Sequence, residues 1–309
     1  MKNRRRTGLV LFEVLVAAAV VALIAALQLQ GILNAREAYR HAQCTNNLKQ
    51  IALAAHNYVA TCGTYPMSAT IGGGRGNGAG CFISMLPYME QTALYNAYNF
   101  SLENWDDSNA TAVGTKIATY ICPSNTNLEF TPAADVRTHQ DKPFISNAKF
   151  GPLHYGANWG GVRAASGEEE RKAYPGSHLG VILTVVDPDA KQKTRNIEVK
   201  DITDGTALTL AFAEKRHSFG WGVSGWGGSE FDVFTAPIYE GENTKLQRAF
   251  TGSFHPGVAV FSLCDGSVQS WKDSMDRQVW YALTTRASGE KIKEDPVGEK
   301  GYIKDEVAN

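Results

Sequence analysis

The chain has 309 residues, 43% of them hydrophobic, and a formal net charge of −1 at pH 7. That length and apolar content can bury a proper core, arranged as one large or two small domains beyond any anchor. A near-neutral balance lacks the basic excess needed to neutralise phosphates and so argues against a nucleic-acid partner.

The chain opens on a basic leader, with Lys2, Arg4, Arg5 and Arg6 standing before Gly8 and no acid among them. From Leu9 to Leu27 the only ionisable side chain is Glu13. The run approaches the roughly 20 residues that a helix needs to cross a bilayer. A basic flank stays cytoplasmic under the positive-inside rule, which sends the bulk of the chain outward. A carboxylate four positions into such a helix is costly in hydrocarbon and calls for a partner or a function. The small residues Ala17, Ala18, Ala19, Ala22, Ala25 and Ala26 allow helices to approach closely where lipid supplies no hydrophobic drive. Two simpler readings compete. A secretory signal would be removed near Ala22, Ala25 or Ala26. A plain signal anchor explains the apolar run but not the spacing of Gly8 and Glu13.

Leu48, Ile51, Ala52, Ala55 and Val59 recur at steps of three and four and predict an amphipathic continuation of the helix. Lys49, Gln50 and Asn57 fall off that stripe. Unbroken from Leu9 to about Val59, such a helix is on the order of 75 Å long. Gly31 is its weak point, since glycine costs about 1 kcal/mol against alanine inside a helix. Gly72 to Gly80 reads as a glycine-rich loop without the Lys-Ser/Thr of a phosphate-binding loop. A short amphipathic helix is expected around Leu86 to Tyr98, strands over Ala207–Ala213 and Val258–Leu263, and a helix over Gln278–Arg286, ahead of a charged tail from Lys291 to Asn309. One long helix followed by mainly short strands predicts an α+β head with an antiparallel sheet. The divisions are residues 1–8 (leader), 9–28 (apolar helix), 29–62 (amphipathic helix) and 63–309 (head).

Near the end, His255-Pro256-Gly257 precedes the apolar run, and Asp265-Gly266 follows it. The physics is first that of a hairpin over residues 255–271, with a type I′ turn at Asp265-Gly266. His255 and Asp265 could also be read as a metal or acid/base pair. The strand between them can hold them about 30 Å apart, which favours a strand-start histidine and a turn aspartate. Trp221 and Trp226 sit in an aromatic and glycine loop, read either as sheet cover or as an exposed contact surface. Asp201, Asp204 and Asp265 are oxygen donors of the kind calcium takes, with no sign in the sequence that they converge. No other cofactor is called for. No G-x-S-x-G or H-E-x-x-H motif is present, and the chain is not read as an enzyme.

The basic leader, Gly8, Leu9 and then Glu13 resemble the signal of type IV prepilins and of the pseudopilins of type II secretion. The resemblance implies cleavage after Gly8 by a prepilin peptidase, N-methylation of Leu9, where that family most often has Phe, and pairing of Glu13 with the amine of a neighbouring subunit. Further runs are similar to one large bacterial family of pseudopilin-like proteins classed as a domain of unknown function. They are Asn34–Arg40, Gln43–Ile51, His56-Asn57-Tyr58, Leu86–Gln91, Leu94-Tyr95-Asn96, Ile121-Cys122-Pro123-Ser124, Asp204-Gly205-Thr206 with Glu214, and an H-x9-DG signature at His255, Asp265 and Gly266. That family usually has proline where this chain has Gln30.

The resemblance implies a pilin-like fold, the long N-terminal helix packed on its head. It also implies single-pass insertion in a bacterial inner membrane with the head in the periplasm or outside. The expected partners are the prepilin peptidase, other pilin-like subunits and the inner-membrane assembly machinery. The function so implied is that of a structural subunit of a filament or pseudopilus. The alternative is a membrane-tethered binding module that does not polymerise.

Five cysteines would then meet an oxidising compartment. Connectivity cannot be read from sequence. Cys44 and Cys122 lie inside the family runs, whereas Cys62 and Cys81 stand where the family more often has other residues. A Cys62–Cys81 bridge around the glycine loop and a Cys44–Cys122 tie between helix and head are the pairings expected on that basis, leaving Cys264 over.

Overall fold

The structure, a computed structural model, describes residues 4–68, 78–125, 128–133, 146–158, 180–182, 196–216, 220–222, 230–231, 251–272, 274–275 and 277–287. The chain divides into two compact units, residues 1–42 and 43–309. Helix α1, Arg4–Cys62, is continuous and runs through Gly31 without a break. Within it, side chains are described for residues 11–24 and 31–62.

In the first unit the apolar side chains stand out from the helix, Leu11, Phe12 and Val21 being 64%, 65% and 66% exposed. Among the described residues no helix is long and apolar enough to cross a membrane.

In the second unit the remainder of α1 forms one wall of the core. Cys44, Asn47, Leu48, Ile51, Ala52, Ala54 and Ala55 are buried. Val59 is half-buried, and Lys49, Gln50 and Asn57 are exposed. This is the stripe that the three-and-four spacing predicts, because residues at those steps share one helix face.

Opposite lies a five-stranded sheet of order β5-β3-β4-β6-β7. Its strands are β3 (Tyr155–Asn158), β4 (Leu210–Glu214), β5 (Glu230–Phe231), β6 (Val258–Leu263) and β7 (Val268–Lys272). A separate antiparallel pair joins β1 (Thr131–Pro132) to β2 (Lys149–Phe150). Three ladders of the main sheet are antiparallel, whereas β5 joins β3 in parallel, so the expected antiparallel sheet is in fact mixed at one edge. β4 begins at Leu210 and not at Ala207. Gly205, at φ +100°, turns the chain there, and its carbonyl accepts from both Leu208 N at 3.0 Å and Thr209 Oγ1 at 3.0 Å.

The central strands β3, β4 and β6 are buried on both faces. Tyr155, Ala157, Ala211, Phe212 and Val260 join the core with α1. Leu210, Ala213, Ala259, Phe261 and Leu263 face a second cluster with Trp280 and Leu283 of a C-terminal helix at Arg277–Thr284. The register of β4 on β6 shifts between Leu210 and Phe212. A bulge lets two consecutive residues, Ala211 and Phe212, serve the same face.

The expected helix over Leu86–Tyr98 is two pieces, a 3-10 turn at Leu86–Met89 and a helix at Thr92–Ala97. Glu90 separates them at φ 60°, the left-handed conformation that ends a helical turn.

Candidate functional site

Four side chains from distant parts of the chain meet beneath the sheet. Cys44 comes from the wall helix α1, and Cys122 from the extended segment after a 3-10 turn at Ala118–Tyr120. Glu214 ends β4, and His255 stands just before β6. One donor atom from each lies within 4.8 Å of all the others. All four residues are buried, at 0%, 4%, 2% and 4% exposure.

Cys44 and Cys122 are disulfide-bonded, with Cα atoms 5.1 Å apart. His255 Nε2 lies 3.5 Å from Cys122 Sγ and 3.3 Å from Glu214 Oε1. Glu214 Oε2 accepts from the backbone N–H of Val260 at 2.9 Å, and Gly252 N–H donates to the Glu214 carbonyl at 3.0 Å. Glu214 Oε1, although buried, makes no hydrogen bond, its contact with His255 being short but poorly aligned for one. Around these groups, Cys122 N–H donates to His154 Nδ1 at 3.1 Å and Asn47 Nδ2 donates to the Ile121 carbonyl at 2.9 Å. The Tyr155 hydroxyl donates to the Cys44 carbonyl at 3.4 Å. Burial, reinforced by the Glu214 carboxyl, pushes the Tyr155 hydroxyl well above the ordinary tyrosine range.

The other end of β6 has a different task. His255 and Asp265 are not brought together, and Asp265 sits in the hairpin turn, where its Oδ1 accepts from Ser267 N–H at 2.7 Å. The turn is not type I′. Among non-glycine residues of the described chain only Glu90 has positive φ, so Gly266, at φ +80°, takes the left-handed position alone. Gly266 N–H donates to the Leu263 carbonyl at 3.0 Å, and Leu263 N–H donates to the Ser267 carbonyl at 2.9 Å. That pattern is a type I turn closed by a left-handed glycine. The loop docks on the wall helix and the segment just after it, with Lys49 Nζ donating to the Gly266 carbonyl and the Tyr65 hydroxyl donating to the Cys264 carbonyl at 3.0 Å. A Cβ at Gly266 would come within 3.0 Å of His56 Nε2. Gly266→Ala is expected to destabilise the head by about 1–3 kcal/mol, from the left-handed backbone and the His56 contact together. Urea unfolding of the two chains measures it, and a loss below a few tenths of a kcal/mol would contradict this account of the turn.

Gly8, Leu9 and Glu13 all fall within α1, Glu13 on its exposed apolar stretch. The expected Cys62–Cys81 bridge is absent. Cys62 is exposed at the end of α1, whereas Cys81 is fully buried at the start of a short helix, Cys81–Ser84, and neither is disulfide-bonded. Cys264 is likewise a buried thiol, and its burial pushes its pKa up.

Asp201, Asp204 and Asp265 form no group of donors among the described residues. Asp201 Oδ2 instead accepts from Glu198 N–H at 2.9 Å. Trp221 is buried and donates from Nε1 to the Thr115 carbonyl at 2.8 Å, which withdraws it from any contact surface. Trp226, the tail from Lys291 and most of the glycine-rich loop lie outside the described residues.

Cys44, Cys122, Glu214 and His255 each occur in a run that the sequence singles out, but nothing in those runs says that they meet. Glu214 is singled out in a family run but not as a partner of His255, and it stands as a carboxylate at the end of an otherwise apolar strand.

Residues 33–278 match the model of a family described as "Protein of unknown function (DUF1559)". Neither a curated protein nor a solved structure matches the chain.

Proposed function

We propose, on the premise that this chain belongs to the DUF1559 family of proteins of unknown function, that it is a pilin-like structural subunit that assembles through its N-terminal helix. The observation that carries the reading is α1 itself. A single 59-residue helix has one stretch buried in its own head and another, Leu11–Ile24, whose apolar side chains are exposed among the described residues. An uncovered apolar helix needs lipid or the same helix of neighbouring subunits around it.

Glu13 adds specificity to that apolar contact. It is the only ionisable residue in the stretch, and a carboxylate buried among helices is stabilised only where an opposite charge meets it. Cleavage after Gly8 would create that charge as the amine of Leu9, so a neighbour shifted to the matching axial position satisfies Glu13 and others do not. The head is then displayed outside, with the bilayer or the filament core holding the helix. The family match begins at residue 33, beyond this stretch, so the leader and Glu13 support the proposal independently of the family.

Intact mass and N-terminal sequence of the chain recovered from membranes test the proposal. A chain beginning at methylated Leu9 is the expected result. A retained Met1, or a cut near Ala26, would remove the basis for assembly. If processing is as expected, Glu13→Ala is predicted to be cleaved normally yet to be lost from assembled fractions by about tenfold or more, the scale of an unpaired buried charge.

A further inference from the structure

We propose that Cys44, Cys122, Glu214 and His255 form a closed, four-ligand site for a zinc-class divalent ion when the Cys44–Cys122 bond is reduced. The site lies within residues 43–309 and does not depend on the assembly reading.

Two of the donor separations already match those of a metal site, and all four donor atoms lie within 4.8 Å of one another. A tetrahedral zinc ion with ordinary bond lengths places a nitrogen about 3.5 Å from a sulfur and about 3.3 Å from a carboxylate oxygen. The corresponding separations here are 3.5 Å, from His255 Nε2 to Cys122 Sγ, and 3.3 Å, from His255 Nε2 to Glu214 Oε1. In a plain Glu–His ion pair the imidazole N–H would align on the carboxylate. Here Glu214 Oε1 is buried without a hydrogen bond, while its twin Oε2 is pinned by Val260 N–H. One oxygen orients the carboxylate, and the other points at the place where an ion would sit. Such outer contacts are what hold a ligand in position.

The two sulfurs are closer than a shared ion allows, being bonded to each other. Their Cα atoms are 5.1 Å apart, and rotation about the two side chains lets the Sγ atoms separate to the roughly 3.8 Å of a tetrahedral dithiolate. Two thiolates, one imidazole and one carboxylate select a borderline ion such as Zn2+ over Ca2+ or Mg2+, which take oxygen donors. Four protein ligands leave no open position, which makes the site structural.

The redox step balances with a dithiol as reductant. A thiolate of the dithiol attacks one sulfur of the Cys44–Cys122 bond, and that bond breaks. The second thiol then closes an S–S bond within the reductant, which is oxidised by two electrons. Its two protons finish on Cys44 Sγ and Cys122 Sγ. The incoming ion displaces those protons to solvent. Cys44 and Cys122 thus tie α1 to the segment after the Ala118–Tyr120 turn in either state, by a covalent bond when oxidised and through the ion, which also joins Glu214 of β4, when reduced.

The test uses the full chain in detergent, carrying Cys62→Ser, Cys81→Ser and Cys264→Ser so that Cys44 and Cys122 are its only cysteines. It is reduced anaerobically with dithiothreitol, desalted and titrated with Co2+. The expected result is saturation at one ion per chain, with thiolate-to-cobalt charge-transfer bands and the intense ligand-field bands of tetrahedral Co2+. Zn2+ should abolish both, and the unreduced chain should show neither. Glu214→Gln and His255→Gln should each weaken Co2+ binding by more than about tenfold. Absence of thiolate bands overturns the proposal, as does binding that neither substitution alters. Amide exchange of β4 and β6, followed in parallel, covers loss of fold. A reduced head that opens and is not closed again by Co2+ also counts against the site.

Discussion

Replacing Cys44 and Cys122 together by alanine is expected to lower the stability of the head by about 4–5 kcal/mol. The two residues are 78 apart in sequence, so their bond closes a long loop. In the chain-entropy account the cost of closing that loop falls on the unfolded state, and its removal returns that freedom to the denatured chain. A loss of this size is a large part of the 5–15 kcal/mol that holds an ordinary domain folded. It also acts where the wall helix is fastened to the rest of the core, since Cys44 lies on α1 and Cys122 follows the turn ending at Tyr120. Urea unfolding of the oxidised chain against the double variant measures the effect in the midpoint. The slope should rise as well, because a denatured chain without the bond exposes more surface. A difference below about 1 kcal/mol would mean that the native contacts around the bond, and not the loop it closes, set its worth.

The head is also expected to unfold in alkali, starting near pH 10. The hydroxyls of Tyr65, Tyr98, Tyr120 and Tyr155 are all raised above the ordinary tyrosine value of about 10, chiefly by burial. Neighbouring thiols at Cys264 and Cys81 push further on Tyr65 and Tyr120 respectively. Tyr120 donates to the Phe82 carbonyl at 2.7 Å, so its neutral form is also the hydrogen-bonded one. Tyr58, at the more open face of α1, is pushed up to about 12 by burial first and Cys62 next. Below about pH 10 both folded and unfolded chains keep these protons, and the stability they carry is fully present. Above it the unfolded chain releases them and the folded chain does not, so stability falls until the pH passes the folded values. Each such group costs about 1.4 kcal/mol per pH unit in that window. Several acting together exceed the reserve of an ordinary domain within about two pH units. Tyrosinate absorbance should therefore rise in one cooperative step that coincides with loss of near-ultraviolet circular dichroism. A gradual rise that precedes unfolding would show these hydroxyls to be open to solvent.

Much of the local structure was legible because it is set by near neighbours. The face that α1 buries follows from steps of three and four, and the structure adds only Cys44, Asn47 and Ala54 to it. β6 occupies Val258–Leu263, the apolar run before Asp265-Gly266, because a turn residue pair ends the strand. The turn type was not legible, since Asp-Gly suits a type I′ turn as well as the type I turn with a left-handed glycine found here. Leu86–Tyr98 reads as one helix by periodicity, and nothing local announces that Glu90 takes a left-handed backbone and splits it.

The candidate site belongs almost wholly to tertiary structure. By itself the sequence determined the leader with Gly8 and Leu9, the lone acid at Glu13, the buried stripe of α1 and the strand that separates His255 from Asp265. Those are properties of spacing along one element. The Cys44–Cys122 bond is the one expected from the family runs, whereas only the closure of long loops decided that Cys62 and Cys81 part, that Trp221 is buried and that β5 adds in parallel. The same closure set Glu214 against His255 beside the disulfide, because each of these partners is chosen by the packing of elements far apart in the chain and by no residue next to it.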